Sequence, residues 1–238
     1  MKIIRGIQPK AQRVVIYGTE GIGKTTLASK FPDPVFIDLE AGSNNYDVAR
    51  YDFEGKGPTW ADLGIALAEI YKEKPCKTLI VDTADKAEML ADDAVLMDCN
   101  KDRQTKLHSI TEMPYGQGYA LLGNKFKGLI ATLSRITGAG IHTVVIAHSQ
   151  VVKVELPDQM GQFDKYELKL NKRCAPLLKE WADMILFCNY KTQVFEGKAE
   201  GTQRVMYTEH GACWDAKNRF GLPASVPMDY EQIKHIFE

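Results

Sequence analysis

The sequence lacks the features that mark secreted, metal-stapled or membrane-bound chains. Its five cysteines (Cys76, Cys99, Cys174, Cys188, Cys213) are odd in number and widely spaced. With no C-x-x-C pair and no histidine at finger spacing, they exclude a zinc ribbon and argue against a disulfide framework. They read as buried thiols in a reducing compartment. No apolar run approaches the ~20 residues of a membrane span, and Met1 to Lys10 has no apolar signal core. A soluble cytoplasmic protein with no membrane partner is therefore expected. Neither charge sign is in useful excess: 30 basic and 31 acidic residues leave a formal charge of −1, so any grip on a polyanion must come from a local patch. Internal repeats and low-complexity tracts are absent as well.

What is present is enough for one well-buried α/β domain: 238 residues, 45% apolar and 26% charged. The expectation is a single domain over 1–238, with a core at about 10–225 and short terminal extensions.

The most specific motif is Gly18-Thr19-Glu20-Gly21-Ile22-Gly23-Lys24-Thr25, which fits G-x-x-x-x-G-K-[ST]. It follows the apolar run Val14 to Tyr17 and opens a helix-like stretch from Thr26 to Lys30, the strand-loop-helix context that a P-loop requires. Glycines let successive N–H groups turn toward a phosphate, and the helix N-terminus adds partial positive charge. Lys24 is expected to reach the β- and γ-phosphates, and the Thr25 hydroxyl to ligate Mg²⁺.

Further strand candidates lie at Val35 to Leu39, Leu79 to Val81, Thr143 to Ala147 and Met184 to Cys188, with helix-length segments between several of them. This alternation predicts a mostly parallel central sheet with helices on both faces. One helix is expected from Thr59 to Tyr71 with Leu63, Leu67 and Ile70 inward, and a longer one where Leu122, Phe126, Leu129, Ile130, Leu133 and Ile136 share a face before Gly138-Ala139-Gly140. Thr192 to Phe195 and Arg204 to Thr208, separated by the turn-rich Glu196 to Gly201, read as an antiparallel hairpin at the sheet edge. Pro227 to Glu238 has room for one or two helical turns.

A P-loop needs a second metal-positioning acid, and Asp82 ends the strand-like Thr78 to Val81 with Thr83 behind it. An aspartate there also caps the next helix, so the residues alone leave both roles open. Asp38 and Glu40 stand at another strand end, where open α/β sheets assemble their sites, and a carboxylate there could polarise an attacking water. His148, Ser149 and Gln150 end a third strand with polar groups able to sense a γ-phosphate.

Gly18 to Thr25, Ile37-Asp38-Leu39-Glu40, Leu79 to Asp82, Ala147 to Gln150 and Ala216-Lys217-Asn218-Arg219 occur in the order seen in RecA-like ATPases. The chain resembles the minimal, phage-type RecA-core proteins that act as single-strand annealing recombinases, over roughly residues 10 to 225. The resemblance implies an α/β RecA-like P-loop NTPase fold, an ATPase using ATP and Mg²⁺, and a location in the bacterial host cytoplasm if the chain is phage-encoded. It assigns Glu40 to water activation, Asp82 to the Walker B acid, and Gln150, or else His148, to coupling the γ-phosphate to DNA. Lys217 and Arg219 match basic fingers that enter a neighbouring subunit's ATP site, so a ring or filament of copies is implied. Single-stranded DNA and a single-strand binding protein are the partners it suggests. The extra N- and C-terminal domains of full-length recombinases have no counterpart here, so annealing is expected rather than invasion of duplex.

Two polar stretches are candidates for the DNA contact: Asn100 to His108, continuing to Tyr115 through Gly118, and Val151 to Arg173. Cations beside aromatics suit single-strand binding, and Lys101, Arg103, Lys106, Lys153, Phe163 and Lys165 are the residues named for it. Acids at Glu155, Asp158, Asp164 and Glu167 weaken that case, and a charged β-hairpin without a ligand explains the second stretch equally. Two rivals share the P-loop: a nucleotide-gated adaptor such as a helicase loader, and a small-molecule kinase, for which no arginine-rich lid is visible.

Overall fold

In the computed structural model, residues 3, 5, 6, 8, 10–53, 55, 57–155, 160–191, 193–195, 198–200 and 203–238 are described. Met1 and four others of the N-terminal ten, Asp158, Thr192, Glu196, Gly197 and Gly201 lie outside them.

The strands are β1 (Arg13–Gly18), β2 (Pro34–Asp38), β3 (Ala49–Arg50), β4 (Thr78–Asp82), β5 (His142–Glu155), β6 (Gln162–Leu168), β7 (Met184–Tyr190), β8 (Gln193–Phe195), β9 (Lys198–Glu200), β10 (Arg204–Tyr207) and β11 (Ser225–Pro227). The α-helices are α1 (Lys24–Ala28), α2 (Trp60–Glu73), α3 (Ala84–Asn100), α4 (Gln117–Gly138) and α5 (Ala175–Trp181).

The main sheet has the order β11-β10-β7-β1-β5-β4-β2-β3, with β6 paired to β5. From β7 to β3 every pairing is parallel, while β10 and β11 extend the edge antiparallel. Both faces of the central strands are buried, so their sequences read as continuous apolar runs rather than alternating ones. Period-two geometry sends Val15, Tyr17, Ile37, Leu79, Val81 and Phe187 to the face covered by α2, α3 and α4. It sends Val14, Ile16, Phe36, Ile80 and Leu186 to the opposite face, under Leu27, Leu222, Tyr230 and Phe237.

The two expected helices form where the sequence placed them. Thr59 caps α2 in a reciprocal capping box with Asp62, and Leu63, Leu67 and Ile70 are buried. In α4, Leu122, Phe126, Leu129, Leu133 and Ile136 are buried, Ile130 is half-buried, and the helix stops at Gly138. Pro227 to Glu238 forms 3₁₀ turns at Tyr230–Gln232 and Lys234–Ile236.

One reading needs correction. The C-terminal hairpin is not the expected pair: β10 joins the main sheet beside β7, whereas β8 pairs with β9 in a separate two-stranded sheet. Spacing along the chain cannot distinguish a local hairpin partner from a distant strand with a free edge. The stretch after Ala147 takes the β-hairpin form that its charged sequence also allowed. β5 continues straight to Glu155 and returns as β6, in register from Ser149 with Leu168 to Glu155 with Gln162.

Candidate functional site

β1 delivers the loop Gly18 to Thr25 to the C-terminal edge of the sheet. Gly18 is required by packing, because a Cβ there would run into the Cys188 carbonyl on β7. Gly23 has φ 105, the left-handed region that glycine enters without steric cost, immediately before α1. The Lys24 ammonium donates to the carbonyls of Gly18 (3.1 Å) and Thr19 (2.9 Å), and burial pulls its pKa down. The Thr19 hydroxyl is buried without a partner.

β4 brings the second acid. The Thr25 hydroxyl donates to Asp82 at 2.8 Å, and burial pushes the Asp82 carboxyl up to about 6. Thr25 and Asp82 offer hard oxygen ligands on one side of the loop, a donor set suited to Mg²⁺. With backbone N–H groups, a buried lysine and an orphaned hydroxyl beside them, these residues fit a Mg²⁺-bound nucleoside triphosphate. Glu20 and Ile22 occupy variable positions of the motif, and Thr26 follows it, its hydroxyl bonded to the Tyr46 hydroxyl at 2.7 Å.

β2 carries the third group. Asp38 accepts from the backbone N–H groups of Glu40 (3.1 Å), Gly42 (3.2 Å) and Ser43 (2.6 Å), so it caps the turn rather than facing the phosphates. That turn presents Glu40, whose carboxylate accepts from the Thr83 hydroxyl at 2.8 Å. Thr83 also caps α3.

β5 supplies the fourth. The His148 ring is bonded to Asp85 at 2.8 Å, and its backbone N–H donates to the same carboxylate at 3.0 Å. The Asp85 bond raises the His148 pKa against the opposing effect of burial. Asp85 is held below its ordinary value because the His148 bonds outweigh its burial. Ligating atoms of Glu40, Asp85 and His148 lie within 4.8 Å of one another. They border an open cleft of about 1410 Å³ that runs from Glu20 to Met89.

Gln150 stands apart from this cluster: its amide donates to the Leu168 carbonyl on β6 at 3.2 Å, at the root of the hairpin. Lys217 and Arg219 stand at the other end of the sheet. Lys217 bridges to Ile185 and donates to the Lys179 carbonyl, while Arg219 pairs with Asp183 at 3.2 Å beside Arg13. Arg13 starts β1 and Gly18 ends it, a separation of roughly 16 Å that the Arg219 side chain does not span, and the Lys217 ammonium is taken up by the Lys179 carbonyl.

The nucleic-acid candidates scatter. Lys101 pairs with Asp98 at 2.8 Å, Lys106 donates to the Asn100 carbonyl, and Arg103 is exposed just beyond α3. On the hairpin, Lys153 faces Asp164 at 3.6 Å and Phe163 is half-buried opposite Val154. Lys165 turns inward to Asp215 at 2.8 Å with its side chain only 15% exposed. Lys169, Lys172 and Arg173 are exposed at the hairpin base.

Asp85 and Tyr46 escaped the sequence reading, which named Thr83 behind Asp82 without giving it a role. Thr83 and Asp85 directly follow the metal-positioning acid, and their polarity at the start of a helix was the available signal. Tyr46 carried none.

Residues 10–220 match the AAA domain family. No curated protein matches the chain. Among solved structures, it is similar to that of a KaiC-like protein from the hyperthermophilic archaeon Pyrococcus horikoshii OT3, at 15% identity and a TM-score of 0.46, over 83% of this chain and 79% of that one. Among the described residues, no helix is long and apolar enough to cross a membrane.

Proposed function

This chain belongs to the AAA domain family, and from that premise we propose a Mg²⁺-dependent ATPase whose nucleotide state gates single-stranded DNA binding and promotes annealing in recombination. Copies of the chain assemble head to tail, with ATP at their interfaces. The observation that carries this reading is the continuity of β5, an unbroken strand from His148 beside Glu40 to Lys153 on the hairpin. Lys169 reinforces the connection, since its backbone N–H donates to the His148 carbonyl and its ammonium lies 3.9 Å from Glu20 in the P-loop.

Each side chain then has a task. Lys24 binds the β- and γ-phosphates, Thr25 and Asp82 hold the metal, and Glu40 accepts a proton from the attacking water while Thr83 fixes its carboxylate. Bound Mg²⁺ supplies positive charge against the phosphates. Lys217 and Arg219, out of reach of their own P-loop, serve a neighbouring copy, which requires a heterologous interface. The cleft beside Glu40 and Asp85 is acidic enough to receive them. Lys153, Lys169, Lys172 and Arg173 provide the cations for a phosphate backbone.

Anisotropy of a fluorescent oligonucleotide at one fixed salt concentration tests the reading. The expected result is tight binding with Mg²⁺ and ATP or a non-hydrolysable analogue, and weak binding without nucleotide. Absence of binding in every nucleotide state refutes it. A nucleotide-gated adaptor is then the better reading, and the pairing of Lys165 with Asp215 and Lys153 with Asp164, which partly neutralises the hairpin, already favours it.

A further inference from the structure

Arg204 opens β10 opposite Tyr190 of β7, two residues beyond Cys188, which pairs in register with Gly18. The antiparallel β10 therefore sets this arginine at the P-loop end of the sheet. Its backbone is anchored, with the Arg204 carbonyl accepting from Met228 at 3.0 Å. Its guanidinium reaches over the phosphate loop: Nη1 donates to the Ile22 carbonyl at 3.3 Å. A Cβ on Gly23 would lie 2.9 Å from that nitrogen and 3.9 Å from the Thr26 hydroxyl, so the guanidinium occupies space that the missing side chain leaves open.

In a P-loop the lysine serves the β- and γ-phosphates, and the backbone N–H groups of the glycine-rich loop cradle the α- and β-phosphates. Ile22 and Gly23, against which the Arg204 guanidinium lies, belong to that loop. Arg13 and Arg219 both pair with Asp183, whereas among the described residues no carboxylate pairs with Arg204. One long bond to a carbonyl uses one of a guanidinium's five N–H donors. A fork-shaped cation with donors to spare, beside an anion cradle, is complementary to a phosphate oxygen.

We propose that Arg204 is a nucleotide-binding residue that contacts the α-phosphate from within the same chain, so that the antiparallel strand β10 completes the site. This rests on the nucleotide-binding reading above. The competing role is mechanical, a staple from β10 to the P-loop through Ile22.

Titration calorimetry of the full chain with Mg²⁺ and ADP, and with the Rp and Sp diastereomers of α-thio-ATP, separates the two. Arg204→Ala is expected to weaken ADP by about tenfold to a hundredfold, the usual range for a hydrogen bond to a charged group. The ligand-free melting temperature should stay within about 2 °C, as for a surface substitution. Arg204→Lys should recover part of the affinity, and the preference between the thio diastereomers should shrink in Arg204→Ala. Unchanged ADP affinity overturns the inference, as does a loss that leaves the diastereomer preference intact, which would mark a staple. A wild-type protein that binds no nucleotide overturns the nucleotide-binding reading itself.

Discussion

The Thr25 hydroxyl donates to the Asp82 carboxylate at 2.8 Å, joining the last residue of the P-loop motif to the end of a strand 57 positions later in the chain. The bond holds the two metal-positioning oxygens in place, yet it does not offset the burial of Asp82, whose pKa rises to about 6. Below about pH 4 the carboxyl is protonated in both folded and unfolded chains. Between about 4 and 6 the folded state keeps a proton that the unfolded state has released, so stability falls as pH rises through that window.

Asp82→Asn should therefore be more stable than the parent at pH 8, by about 3 kcal/mol, and the advantage should vanish near pH 4. Urea unfolding of the ligand-free proteins at the two pH values measures it. Mg²⁺-dependent ATP turnover should be lost in the same variant.

Glu40→Gln should lower turnover by about a hundredfold or more while changing ATP affinity little, as for loss of a general base. Thr83→Val should lower kcat by about tenfold with KM unchanged, because the carboxylate remains but loses its orienting donor. A KM effect without a kcat effect would count against the positioning role.

Asp85→Asn should return the His148 pKa toward its ordinary value, a shift that NMR titration of the ring Cε1 proton reads directly. A histidine raised by its partner contributes stability that is full below about pH 6.5 and lost as pH climbs through its raised value. The destabilisation by Asp85→Asn should accordingly be larger at pH 6 than at pH 9.

Mixing provides the test of the fingers. Lys24→Ala and Arg219→Ala should each be nearly inactive alone, and an equimolar mixture should recover about a quarter of the sites, those pairing an intact P-loop with an intact neighbouring finger. No recovery, with each variant folded, would return Arg219 to a surface ion pair with Asp183.

Phe126→Ala should cost about 3 to 5 kcal/mol of stability, since the ring is 1% exposed in the core between α4 and the sheet. Thermal or denaturant unfolding checks it, and nucleotide affinity measured below the transition should be retained.

The local features were legible in the sequence for a local reason. A P-loop needs its glycines, lysine and threonine within eight consecutive residues, and a doubly covered parallel strand needs an apolar run of about five, so Gly18 to Thr25, Val14 to Tyr17 and Leu79 to Val81 declare themselves. The stripe from Leu122 to Ile136 is equally local, because helical period alone aligns it. Asp82 could be proposed from its position at the end of such a run.

What only the tertiary structure decided is which distant residues meet. Nothing in the spacing shows that Thr83 holds Glu40, that Asp85 engages His148, or that Lys165 is taken up by Asp215. The pairing of β2 with β4 sets the first, that of β4 with β5 sets the second, and a chain segment 50 residues away sets the third. The same holds for β10: its alternating residues suit either a hairpin or an open edge, and the free edge of β7 made the choice, carrying Arg204 to the P-loop. Sequence determined the chemistry carried on each strand end, because residue identity and local period suffice for that. Folding determined which ends face one another, because pairing across a sheet depends on edges and packing that no local window contains.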